Sequence, residues 1–205
     1  MTYDQLASSE AVARTVEGLK GRNIEGIVVA DRAEALEKIK ELVPAGASVM
    51  NGSSRTLEEI GFIEYLKTGT HGWQNLHAEI LAEQDSAKQA RLRRESVLSD
   101  YYLGSVHALA EDGQIVIASN TGSQLPHLVY TSPNLILVVS TKKIVPTLDE
   151  ALRRLDEYVV PLEDARMMEA YQSHTKESKL LVIKHEPEFM QRKVRVILVN
   201  EALGF

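Results

Sequence analysis

No cysteine occurs in the 205 residues. Disulfides, thiolate nucleophiles and cysteine-held zinc or iron–sulfur sites are thereby excluded. Aromatic residues make up only 5% of the chain, and Trp73 is the single tryptophan. Positive charge is in the minority: 23 Lys and Arg stand against 29 Asp and Glu, a formal net charge of −6. That balance opposes non-specific binding to a phosphate backbone, so nucleic acid is not an expected partner. Long apolar runs are also missing. A run such as 135–139 is far shorter than the roughly 20 residues a membrane-spanning helix needs, so no membrane is expected. Asp4 and Glu10 interrupt the start of the chain, which does not read as a signal peptide, and the expected compartment is the cytoplasm.

What is present suits a folded domain. Hydrophobic residues make up 44% and charged residues 25%, enough to bury one large core without staples. No repeat, low-complexity stretch or Pro/Gly/Ser-rich linker divides the chain, so 1–205 reads as a single domain.

Hydrophobic spacing gives the elements. Leu6, Val12, Val16 and Leu19 make one stripe of a helix over 3–20. Residues 26–30 form a short apolar strand, followed by the N-cap Asp31 and a helix carrying Ala35, Leu36, Ile39 and Leu42. After the Pro44-Ala45-Gly46 break, a strand starts at Ser48 and a helix at Thr56. Residues 76–98 are polar and read as one long exposed helix, with Arg91, Arg93 and Arg94 among Glu83, Asp85 and Glu95 on a solvated face. Strands follow at 114–118, 134–140 and 143–145, with a short helix around Pro126 and another helix at 147–158. Two late strands cover 180–184 and 194–199. The strand–helix alternation predicts an α/β fold: a mostly parallel sheet with helices on both faces.

Three stretches together resemble the LUD-domain (lactate-utilization) family, lactate utilization protein C among its members. The first runs over 43–61 and contains Asn51-Gly52-Ser53-Ser54-Arg55-Thr56. The second, 102–151, holds Ala110-Glu111-Asp112-Gly113, Asn120-Thr121-Gly122 and Lys142-Lys143-Ile144-Val145-Pro146. The third is the C-terminal 196–205. The resemblance covers most of the chain. It implies a fold like that of the glucosamine-6-phosphate isomerase (NagB), ribose-5-phosphate isomerase (RpiA) and CoA-transferase group. It also implies work in lactate or organic-acid utilization beside iron–sulfur oxidoreductase subunits. Many small relatives carry a cysteine cluster before the last strand; here the matching 167–180 has Met167, Met168 and His174 instead.

Two loops carry the candidate binding residues. Asn51, Gly52, Ser53, Ser54 and Thr56 sit between a strand and a helix. Asn120, Thr121, Gly122 and Ser123 repeat the same small, hydroxyl-rich composition. Both can present amides and hydroxyls to a small anionic metabolite or nucleotide-like group, and converge on one ligand. Both can equally be turns with local caps. Glu111 compares with the nucleophilic glutamate of CoA-transferases, although Glu111-Asp112-Gly113 also reads as a plain hairpin turn. His127 follows the second loop and is the acid–base candidate, or else a hydrogen-bonded histidine. Lys142 and Lys143 lie past a strand end, where a cation can meet an anion or simply be solvated. The six histidines show no His-x-x-x-His spacing, so no metal site is expected. No cofactor held by the chain itself is expected either. An acyl- or CoA-transferase, a sugar-phosphate isomerase and a docking subunit remain alternatives, and assembly with further copies of the chain is compatible with the sequence.

Overall fold

The computed structural model describes residues 3–205. Its main sheet has six strands, in the order β1 (Glu25–Val29), β10 (Lys193–Val199), β7 (Asn134–Ser140), β4 (Tyr101–Gly104), β2 (Ser48–Asn51) and β3 (Gln74–Asn75). Every neighbouring pair is parallel. The α/β class expected from the alternation is the one observed.

The central strands are apolar throughout because both of their faces are covered. Ile136, Val138, Ile197 and Val199 point to one side, where they meet Ala35 and Ile39 of α2 (Arg32–Leu42), Leu57 of α3 (Arg55–Glu59) and Phe62 of α4 (Phe62–Lys67). Trp73 closes this cluster and donates its indole N–H to the Val43 carbonyl at 3.1 Å. Leu135, Leu137, Val139, Val196 and Leu198 point to the other side, against Leu19 of α1 (Ser9–Lys20) and against a second sheet.

Three strands of this second sheet are expected from the sequence, at 114–118, 143–145 and 180–184, but its strand over Ala108–Ala110 and its separation from the main sheet are not. The sheet runs β8 (Ile144–Val145), β5 (Ala108–Ala110), β6 (Ile115–Ser119), β9 (Lys179–Ile183), with β6 antiparallel to both neighbours. Leu109, Ile115 and Ile117 pack toward the main sheet, while Ala108, Val116 and Val145 pack outward against Ala151, Leu155 and Val159. The helix expected at 147–158 supplies the outer cover and continues further: α7 (Leu148–Arg154) passes through a π-helical stretch into α8 (Val160–Tyr171).

Two further boundaries differ from expectation. The first helix starts at Ser9 rather than residue 3, because the Ser8 side chain caps it by accepting from the Ala11 N–H. The polar stretch is two helices, α5 (Leu76–Ala82) and α6 (Ser86–Glu95), followed by a 3₁₀ turn. Asp85 divides them, its carboxylate accepting from the Ala87 and Lys88 N–H groups. No helix of the described residues is long and apolar enough to cross a membrane.

Candidate functional site

Strand order locates the site. In the main sheet β2 is followed along the chain by its outer neighbour β3, whereas the next main-sheet strand after β4 is its inner neighbour β7. The connections therefore diverge between β2 and β4, and the crevice beyond the carboxyl ends of two such strands is where open α/β sheets hold ligands. A cavity of about 490 Å³ lies there, lined by Asn51 and Gly52 at the end of β2 and by Gly104, Ser105 and Val106 at the end of β4. That volume is within the range of small-molecule sites.

Both sequence-predicted loops reach this cavity. Asn51, Gly52, Ser53, Ser54 and Thr56 line it from one side, Asn120, Thr121 and Ser123 from another, and His127 from a third. Gly122 does not line it; with φ at +84°, it packs beneath the Lys179 side chain. Glu111 lies outside the cavity, in the β5–β6 hairpin turn, and pairs with Arg14 at 2.6 Å.

The helix ends behind the loops are shorter than expected. The α3 helix has five residues and the helical stretch after the second loop is a five-residue π turn. Neither is long enough to bring a sizeable aligned dipole to the cavity. Ser54 spends its hydroxyl as a cap for the Leu57 N–H, and Glu58 pairs with Arg55. Thr56 is buried, and Glu59 accepts from the Gly204 N–H at 2.7 Å.

The charge at the cavity floor comes instead from Lys143, which is only 4% exposed. It is the last residue of the 3₁₀ turn after β7, and its amino group reaches Thr56 Oγ1 at 3.0 Å, Ser105 Oγ at 3.1 Å and the Val106 carbonyl at 3.1 Å. All three partners are uncharged oxygens, so no carboxylate pairs with it among the described residues. Burial, reinforced by the Arg154 and Lys142 charges and only partly offset by Glu59, pushes its pKa down to about 7. Neither lysine is simply solvated: Lys143 is buried, and the Lys142 side chain is only 10% exposed.

The histidines at the walls are neutral at pH 7. His127 stacks on Tyr102 with centroids 4.5 Å apart, and its Nδ1 lies 2.9 Å from Ser132 Oγ and 3.3 Å from Ser99 Oγ. Burial lowers its pKa to about 4. His107 Nδ1 accepts from the Ala118 N–H at 3.1 Å; burial, then Lys143 and Arg154, lower its pKa to about 3. Burial also raises the Tyr102 phenol pKa. Asn51 is 1% exposed, and its Oδ1 has no hydrogen-bond partner among the described residues, although a buried carbonyl oxygen ordinarily has one. Arg93 and His77 also line the cavity, while Arg91, Arg93 and Arg94 are all exposed, as expected of a solvated helix face. No three His, Cys, Asp or Glu side chains gather as a metal-binding group among the described residues.

Sequence reasoning missed Ser105, His107, Tyr102 and the burial of Lys143. Lys143 did carry a signal: it directly precedes the Ile144-Val145 pair, whose strand buries it at the inner edge of the second sheet.

No curated protein matches the sequence. The crystal structure of a DUF162 family protein from Deinococcus radiodurans is similar in fold, with a TM-score of 0.57 at 15% identity, covering 96% of this chain and 100% of that one. The LUD domain family matches residues 12–199, so the chain belongs to the LUD-domain family, whose name ties it to lactate utilization.

Proposed function

We propose that this LUD-domain protein binds a small anionic metabolite in the cavity between the 51–56 and 120–123 loops, as an accessory or regulatory component of lactate or other organic-acid utilization. One observation carries the reading: Lys143 sits at the cavity floor without a carboxylate partner. Burial without an anion drives this lysine toward the free amine, and an entering anion would offset the cost of its ammonium form. The unpartnered Asn51 Oδ1 supports the reading, since a ligand hydroxyl or amine would satisfy it. Iron–sulfur subunits remain the proposed partners, and electron transfer would be theirs because the chain has no cysteine to hold a cluster.

A thermal-shift panel of lactate, pyruvate, sugar phosphates and CoA esters tests this, because binding to the native state alone raises the melting temperature. At least one anion is expected to raise it, and to lose that effect in Lys143→Met. A flat response to every anion at millimolar concentration would sink the reading.

A further inference from the structure

The contacts around Lys143 suit a free amine as well as they suit an ammonium. Ser105 donates its own hydroxyl proton to the Val138 carbonyl at 2.6 Å, so it meets Lys143 with a lone pair. The Val106 carbonyl also can only accept. Thr56 is different: its hydroxyl can turn its proton toward Nζ. Two N–H donors and one nitrogen lone pair are then all matched, and nothing in the network demands the charged form. The surroundings favour the neutral one, with Arg154 and Lys142 repelling a positive charge. Desolvated lysines beside other cations are the ones that act as nucleophiles. This one faces a cavity large enough for a small molecule.

We infer that Lys143 captures a carbonyl-bearing anion, a 2-oxo acid or an aldehyde acid, as a reversible imine at the cavity floor. The inference rests on the anion-binding reading of this cavity. The Nζ lone pair adds to the carbonyl carbon and the carbonyl π pair moves to oxygen. That oxygen then leaves as water with the two protons from nitrogen, closing the carbon–nitrogen double bond. Amine plus carbonyl gives imine plus water, with no change of oxidation state. The Thr56 hydroxyl lies on Nζ, where it can hand a proton to the departing oxygen and recover it from the nitrogen.

Reductive trapping reads this directly. The full chain is treated at pH 7 with glyoxylate and cyanoborohydride, and the labelled lysine is located by peptide mass spectrometry. Expected is one carboxymethyl group per chain on Lys143, forming at least about tenfold faster than on an exposed lysine such as Lys67, given the difference in free-amine fraction. Lys143→Arg, checked for native circular dichroism, should lose this fast label, and Thr56→Val should slow it. Label confined to surface lysines, with Lys143 unmodified, overturns the inference. Thermal shift with inorganic phosphate on the same preparation separates the two readings: a rise in melting temperature without Lys143 labelling overturns the imine and leaves the anion site standing. Neither response overturns both.

Discussion

Gly204 packs directly onto Thr56: a Cβ on Gly204 would lie 2.4 Å from Thr56 Oγ1 and 3.1 Å from Lys143 Nζ. Gly204 thus backs two residues of the cavity floor, and φ at +63° makes it a position suited to glycine. Gly204→Ala is expected to cost about 1–3 kcal/mol through backbone strain and overpacking. It should also abolish any anion-induced rise in melting temperature, because Lys143 loses its hydroxyl partner. Denaturant titration and thermal shift measure the two effects; a neutral Gly204→Ala protein would show that the C-terminal turn plays no part in the site.

Lys143 makes stability depend on alkaline pH. Its folded pKa of about 7 lies below the ordinary lysine value of 10.5. Between these values the unfolded chain holds a proton that the native state has released, so the contribution of Lys143 is fully present above the unfolded value and falls as pH drops toward 7. Lys143→Met removes that dependence. The variant's stability relative to the parent should therefore improve as pH falls from 10 to 7, by up to about 1.4 kcal/mol per pH unit. Parallel stability curves across that range would mean that the ammonium is retained in the fold.

Acid acts through the two cavity histidines. His127 and His107 have folded pKa values lowered to about 4 and about 3 by burial, from 6.5. Below 6.5 the unfolded chain takes up protons that these rings refuse, so their contribution is intact above 6.5 and lost as pH falls through the folded values. Each ring adds a slope of up to about 1.4 kcal/mol per pH unit. Denaturation midpoints should fall from pH 6.5 to 4, and His127→Gln should flatten the profile. An unchanged slope in that variant would place the acid sensitivity elsewhere.

Gly52 shows where local reading stops. From the sequence, a bulky residue at this position is expected to block the ligand and leave the fold intact. In the structure its Cβ position lies 2.4 Å from the Tyr102 hydroxyl and 3.1 Å from Gln124 Oε1. Gly52→Val should therefore displace Tyr102, and with it the stacked His127, and lower stability by about 1–3 kcal/mol besides weakening anion binding. Equal midpoints for Gly52→Val and the parent would contradict this.

The parts that were legible are those with a strong local signal. The strand at 134–140 and the last strand are continuous apolar runs, and Asp31 is a visible cap. The two polar loops could be paired because each follows a strand and has the same composition. The second sheet was legible only as separate strands at 114–118, 143–145 and 180–184: β5 has just three residues, and β9 pairs with a strand 60 to 68 residues earlier, Ile183 opposite Ile115. Strands that short have no readable period, and their partners are set by tertiary contact. Lys143 was hidden for a related reason. Its burial depends on residues brought in from Thr56, Ser105 and Gly204, each supplied by a different connection.

The wall behind His127 supplies the last prediction. Arg192 pairs with Glu186 at 3.1 Å, their side chains 5% and 7% exposed. The same guanidinium donates to the carbonyls of His127 at 3.0 Å, Leu128 at 3.2 Å and Ser132 at 3.1 Å. It therefore holds the π turn that carries His127 and the serine that hydrogen-bonds its ring. Arg192→Met would strand the Glu186 carboxylate and three carbonyls in a dry site. Breaking one partner of a buried pair costs about 3–5 kcal/mol, and the released turn should let the His127 ring move off Tyr102. In Arg192→Met, urea titration should show a loss of that size, and the His127 pKa followed by NMR should rise from about 4 toward 6.5 as the ring gains water. The double variant Arg192→Met, Glu186→Leu removes both charges and should recover much of the stability without restoring the histidine pKa. A full recovery of both would mean that the carbonyl contacts are incidental and that only the ion pair matters.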